Sequence, residues 1–207
     1  MSHTRVRPLL VVLTFALPLS GGFASAQTRG WVPALPPPDG PVVINTDVVP
    51  RVRVVPIASG LSYPWGMAFR RNGNILVTGR DKGTLRVIRE GRLLERDIPG
   101  VPEVFTGRNR AGLMDIALHP DDDRVVYLTY TKAIEFEGEP ARTVALARGL
   151  LNGDELTEVT DIFVAVGLDD GIAAARLLFH PDGTLFMSLG GSYVFAQTGG
   201  YAQAPST

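Results

Sequence analysis

The chain has 207 residues, 45% hydrophobic and 20% charged, with 20 Lys plus Arg against 21 Asp plus Glu. The length is enough for one ordinary domain, the apolar share excludes wholesale disorder, and a net charge of −1 carries no polyanion-binding signature, so no nucleic-acid partner is expected. Cys is 0 and His is 3, which removes disulfides, thiolate metal sites and cysteine nucleophiles and leaves little for a histidine metal cage.

Residues 1–26 read as a secretory signal peptide. Arg5 and Arg7 form a basic start, Pro8 to Leu19 is almost entirely apolar, and Ala24-Ser25-Ala26 supplies small residues for cleavage after Ala26. The apolar run is broken by Pro18 and Gly21-Gly22 and falls short of the ~20 residues that span a bilayer. A periplasmic or secreted location follows, with no membrane span after cleavage. The mature chain would keep 181 residues, with 18 basic against 21 acidic side chains.

Residues 27–50 are expected to form a linker. Pro33, Pro36, Pro37, Pro38, Pro41 and Pro50 oppose regular pairing and favour extended geometry. From Arg51 the apolar period is 2, as strands require. Arg51–Val55, Asn74–Thr78, Thr84–Ile88, Arg124–Tyr130, Thr143–Ala147 and Thr184–Leu189 are β-branched or aromatic runs bounded by turn residues. Arg89-Glu90-Gly91-Arg92 reads as a hairpin turn. No amphipathic helix follows the signal segment, so the class is all-β.

A repeat runs through this region. Met67–Thr78, Ile116–Thr129 and Leu177–Ser188 each read apolar strand, polar turn, apolar strand. Anchored on Phe69, Leu118 and Phe179, the copies stand 49 and 61 residues apart. Repeats of about 40–50 residues with four strands each point to propeller blades, a β-sandwich with chance hairpins being the other reading. About three blades are present over 51–195, followed by a frayed tail at 196–207. Three blades do not close a ring, because propellers have about 4–8. The chain is therefore expected to be the front part of a longer propeller.

Three segments carry a family resemblance. Gly60-Leu61-Ser62-Tyr63-Pro64-Trp65-Gly66-Met67-Ala68-Phe69 with Gly73–Thr78 is the first. Gly112-Leu113-Met114-Asp115-Ile116-Ala117-Leu118-His119-Pro120-Asp121 is the second, and Arg176-Leu177-Leu178-Phe179-His180-Pro181-Asp182-Gly183-Thr184-Leu185-Phe186 is the third. Together they resemble the soluble, PQQ-dependent glucose/sorbosone (aldose sugar) dehydrogenases. The resemblance implies a six-bladed propeller with the quinone PQQ and a calcium ion near its axis, and a small sugar or alcohol as substrate. A general base removes the hydroxyl proton while hydride passes to the quinone.

The resemblance also assigns positions. The family's base, a His four residues before the Arg of the third signature, corresponds to Ile172, which cannot accept a proton. The family's Gln near the cofactor corresponds to Arg110, and its Gly-Asp-Arg stretch after the third signature reads Gly190-Gly191-Ser192. The signatures of the fold are kept while the chemical positions are not. Asp170, in the same loop as Ile172, is the candidate for a displaced base if burial raises its pKa. Arg108 and Arg110 are candidates for binding the quinone's carboxylates. Without these roles the chain is a noncatalytic propeller that binds a ligand, or a nonfunctional fragment. His119 and His180 occupy equivalent places in two turns and read as turn residues. Asp121-Asp122-Asp123 lacks the spaced acids, central Gly and final Glu of a calcium loop.

Overall fold

Strand formation begins inside the Pro-rich stretch, where Val42-Val43-Ile44 places three β-branched residues in a row. The computed structural model describes residues 38–107, 111–165 and 174–190, all within one compact unit, Pro37–Thr207. β1 (Val42–Ile44) pairs antiparallel with β2 (Val52–Val54). β1 thus lies within 27–50, the segment expected as linker. Its turn is held by Asn45 Oδ1, which accepts from Arg51 N at 3.1 Å, and by Thr46 Oγ1, which accepts from Val49 N at 2.9 Å. The expected signal segment 1–26 and tail 196–207 lie outside the described residues.

Two four-stranded antiparallel sheets follow. The first runs β3 (Pro64–Phe69), β4 (Ile75–Gly79), β5 (Thr84–Arg89), β6 (Arg92–Leu93), each strand beside the next. The second repeats that order with β7 (Leu113–Leu118), β8 (Val125–Phe136), β9 (Glu139–Asn152) and β10 (Glu155–Val164). A third sheet holds β11 (Ala175–Phe179) and β12 (Leu185–Leu189). β3 packs against β7, and β7 against β11, so the first strand of each sheet faces its counterpart in the next. Successive four-stranded meanders joined in this way are the blades of a β-propeller. The three hairpins of the sequence repeat are β3–β4, β7–β8 and β11–β12.

The main core fills the space between the first two blades. Leu76, Leu85 and Val87 from the first meet Leu113, Ile116, Val126 and Leu128 from the second. A smaller cluster of Met114, Val144 and Ala175, with Trp65 and Met187 packed on it, joins the second blade to the third sheet. A buried hydroxyl adds a polar link at each joint. Thr78 Oγ1 accepts from Gly66 N at 2.8 Å and donates to the Met114 carbonyl of the next blade at 2.6 Å. One blade on, Thr129 Oγ1 accepts from Asp115 N at 2.9 Å and donates to the Ala175 carbonyl at 3.4 Å. These threonines are fully buried, where an unpaired hydroxyl would be costly, so the relay fixes the stagger between blades.

Candidate functional site

The inner strands β3, β7 and β11 begin at one end of the sheets, and the chemistry-bearing side chains collect there. Both complete blades carry a bulge at this end, the register slipping between Pro64 and Met67 and between Leu113 and Ile116. A bulge re-aims side chains. Here it brings Trp65-Gly66 against Met114-Asp115. A Cβ on Gly66 would stand 2.6 Å from Asp115 Oδ1, so only glycine admits that approach.

Asp115 is the one charged residue among the buried described residues, at 6% exposure. Its Oδ2 accepts from Leu177 N at 2.8 Å, and its Oδ1 faces Arg176 Nη1 at 3.2 Å. Arg176 Nη1 also donates to the Trp65 carbonyl at 3.3 Å. One carboxylate and one guanidinium therefore tie β3, β7 and β11 together. The Trp65 ring lies near two cations, with the Arg80 guanidinium 4.5 Å and that of Arg176 6.0 Å from its centroid. Arg80 also lies 5.4 Å from the Tyr63 ring. Asp81, next along the chain, accepts from Ser62 Oγ at 2.8 Å through Oδ2. The cluster is suited to holding an anion or a flat ring. It is not suited to proton abstraction, because both Asp115 oxygens are already engaged.

The described residues that flank 108–110 and 166–173 are held at neighbouring positions of β8 and β9. Phe105 N donates to the Thr131 carbonyl at 2.8 Å, Thr131 N to the Gly112 carbonyl at 2.9 Å, and Gly112 N to Thr131 Oγ1 at 3.2 Å. The segment between Phe105 and Gly112 is thus pinched at one β8 residue. Gly112 has φ 146°, and a Cβ there would stand 1.9 Å from the Arg80 carbonyl oxygen. The Ala165 N–H donates to the Val144 carbonyl at 2.9 Å, and its carbonyl accepts from Thr143 Oγ1 at 2.9 Å. Thr131 and Val144 are cross-strand partners. Arg108, Arg110, Asp170 and Ile172 all lie outside the described residues.

The turn residues sit at the other end of the blades. His119 Nδ1 accepts from Asp121 N at 3.2 Å, and His180 Nδ1 from Asp182 N at 3.4 Å, the same arrangement in two hairpins. In the acidic run, Asp122 is held at about 2 from its ordinary 3.8, chiefly by the hydrogen bond from the Arg124 side chain. Asp123 Oδ2 accepts from Arg71 N at 2.8 Å in the neighbouring blade. Elsewhere on the second blade, the Tyr130 hydroxyl donates to Asp161 Oδ1 at 2.6 Å, and burial, then Asp161, pushes its pKa above the usual tyrosine range. Lys132 pairs with the other Asp161 oxygen. Sequence reasoning gave no role to Asp115, Trp65 or Arg80. An acid inside the apolar run Leu113–Leu118 was the available signal.

Serial four-stranded blades with bulged inner strands define part of a β-propeller. The Glucose / Sorbosone dehydrogenase family model matches residues 61–206, and the chain belongs to that family. It is 38% identical over 152 residues to the uncharacterized protein slr1608 of Synechocystis sp. (strain ATCC 27184 / PCC 6803 / Kazusa), covering 68% of this chain and 36% of that protein. It is 31% identical over 158 residues to the aldose sugar dehydrogenase YliI of Escherichia coli (strain K12), covering 72% and 39%. The PQQ-bound form of aldose sugar dehydrogenase from Streptomyces coelicolor superposes with a TM-score of 0.57 at 26% identity, covering 76% of this chain and 44% of that one. The chain thus spans about two fifths of the length of these relatives.

PQQ and calcium were expected from the resemblance. The described residues alone give calcium no ligand set. Among them no three His, Asp or Glu side chains converge to hold a metal ion. Arg176 engages Asp115 through Nη1 alone and is 59% exposed, so with Arg80 it could meet a carboxylate of the quinone. Among the described residues no helix is long and apolar enough to cross a membrane.

Proposed function

We propose that this chain belongs to an exported, quinoprotein-type propeller that recognises a small sugar or alcohol and, as it stands, does not oxidise glucose. The residue at position 172 carries this reading. The family resemblance puts the proton-accepting His there, and this chain has Ile, which has no lone pair. A general base contributes about 10² to 10⁴ in rate, so its loss alone would leave little turnover. Arg110 puts a fixed positive charge where the family has Gln. With Arg108 it offers guanidinium groups to the carboxylates of PQQ, so binding of the quinone outlasts loss of the base in this reading. Asp170, two residues before Ile172, is the acid proposed to substitute as base. The small-residue site Ala24-Ser25-Ala26 supports export, to the periplasm or outside the cell.

The test is dye-linked glucose oxidation by the purified chain with excess PQQ and calcium, beside the Ile172→His and Asp170→Asn variants. Quinone binding seen in the visible spectrum without dye reduction is the expected result. Robust turnover by the unmodified chain would sink the proposal, and its loss in Asp170→Asn would assign the base to Asp170. The N-terminal sequence of the exported protein tests the cleavage after Ala26.

A further inference from the structure

Several arginines of the blades pair with aspartates. Arg70 meets Asp123, Arg86 meets Asp97, Arg89 meets Asp154 and Arg124 meets Asp122. Arg80 differs. Its guanidinium lies against the Trp65 and Tyr63 rings and has no carboxylate, carbonyl or hydroxyl acceptor among the described residues. Asp81, next to it in the chain, is engaged by Ser62 instead. A ring attracts the charge of a guanidinium but offers no oxygen lone pair, so the N–H donors stay open. A half-buried cation in that condition has given up hydration without a hydrogen bond in return.

The backbone at this position is fixed. Arg80 N donates to the Tyr63 carbonyl at 3.1 Å, and the Arg80 carbonyl accepts from Leu113 N at 3.3 Å and from Gly83 N at 3.4 Å. Tyr63 itself has φ 39°, in the left-handed region that a tyrosine rarely adopts. Strained residues of this kind gather where a fold holds a ligand-binding group in place. All of these contacts fall within the first blade or at its joint with the second, whose eight strands are all described. Arg176 adds another guanidinium beside the same indole. Only its Nη1 is engaged, by Asp115 and the Trp65 carbonyl, and its other nitrogens have no acceptor among the described residues.

We propose that Arg80, with Arg176 beside it, forms a subsite for a carboxylate of a small organic acid. A guanidinium presents paired N–H groups that match the two oxygens of a carboxylate, and held donors lose little entropy when the acid arrives. Both guanidiniums lie against one indole, so one small ligand reaches both. A neutral hexose offers only hydroxyls and leaves the charge of Arg80 unmatched. The ligand class this subsite selects is therefore an acid, supplied either by an acidic sugar or by the quinone. The identity of the acid rests on the reading of the chain as a sugar-recognising quinoprotein, whereas the subsite itself rests on the open donors of Arg80.

Titration calorimetry of the full chain at low ionic strength tests this, with sodium glucuronate, PQQ, glucose and glucuronamide as separate probes. Binding of glucuronate or of PQQ is expected, and the two titrations tell which source supplies the carboxylate. Glucose and glucuronamide, which carry none, should bind at least about tenfold more weakly than the acid that binds. Arg80→Gln should weaken that acid by about tenfold or more, and Arg80→Lys should recover only part of the loss, because Lys keeps the charge without the fork. Arg176→Gln serves as a second variant, and far-UV circular dichroism checks that each is folded. Failure of both acids to bind, equal binding of the acid and the neutral sugars, or acid binding indifferent to Arg80→Gln and Arg176→Gln would overturn the proposal. Glucose turnover by the unmodified chain would sink the earlier reading and leave these titrations as they are, so the two failures are distinguishable.

Discussion

The second blade and the third sheet begin with the same hairpin and end in opposite environments. Tyr127 and Phe186 are equivalent, as are Ala117 and Leu178, yet the second blade lies under its neighbour and the third sheet has Phe186 and Leu178 more than half exposed. Thr129 is buried with both its donor and its acceptor, whereas the described residues give Ser188 only a donor. The difference is not one of local sequence, since both hairpins alternate apolar and polar residues around a polar turn containing His, Pro and Asp. What separates them is whether a further blade covers the face. Burial in a propeller is a property of the joint between blades, and each blade supplies only half of it.

Three measurements break or sharpen that comparison. The largest effect is expected from truncating one covered and one uncovered side chain of the two hairpins. Leu128→Ala removes a side chain 1% exposed and should cost about 2–5 kcal/mol, while Leu178→Ala should fall within about 0.5 kcal/mol. Urea unfolding at high dilution measures both, and equal costs would mean that the third sheet is covered after all. An intermediate effect belongs to Asp115, which ties the second blade to the third sheet. Asp115→Ala strands the Leu177 N–H and should cost about 1–3 kcal/mol. Its Arg176 partner is 59% exposed, so the ion pair itself adds little. Proteolysis should then cut near β11 before it cuts the first two blades.

The smallest effect lies in the turns. Asp122 is depressed to about 2 by Arg124, and Asp182 is lowered by hydrogen bonds, first from the Thr184 backbone. A depressed carboxylate stabilises the folded state above its unfolded value of 3.8, and that contribution disappears as pH falls toward the folded value. Melting temperature should therefore drop between about pH 4 and about pH 2, and the drop should shrink in Asp122→Asn. An unchanged acid limb in that variant would show that the Asp122–Arg124 pair contributes nothing to stability.

Much of the fold was legible because strands that bury one face must alternate. The runs at 74–78, 84–88, 124–130, 143–147 and 184–189 all fall on β4, β5, β8, β9 and β12. Two strands escaped that signal. β10 (Glu155–Val164) is an edge strand exposed along most of its length, so its residues carry no inward-facing stripe. β1 lay hidden among prolines, and its residues are exposed on both faces. The candidate site was legible only as a place. The signatures mark where β3, β7 and β11 begin, but the Asp115–Arg176 contact joins residues 61 apart and has no local pattern.

The sequence by itself determined the strands, the three hairpin copies and the family, because these depend on the order of residue types along a few neighbouring positions. It also determined that position 172 holds Ile, whatever surrounds it. Only the tertiary structure decided that Asp115 is buried beside Leu177 and Arg176, that Trp65 lies beside two guanidiniums, and that Thr78 and Thr129 link blades. Alternation says toward which face a side chain points. Whether that face is dry depends on a blade some 50 residues away in the chain, and that is settled by packing.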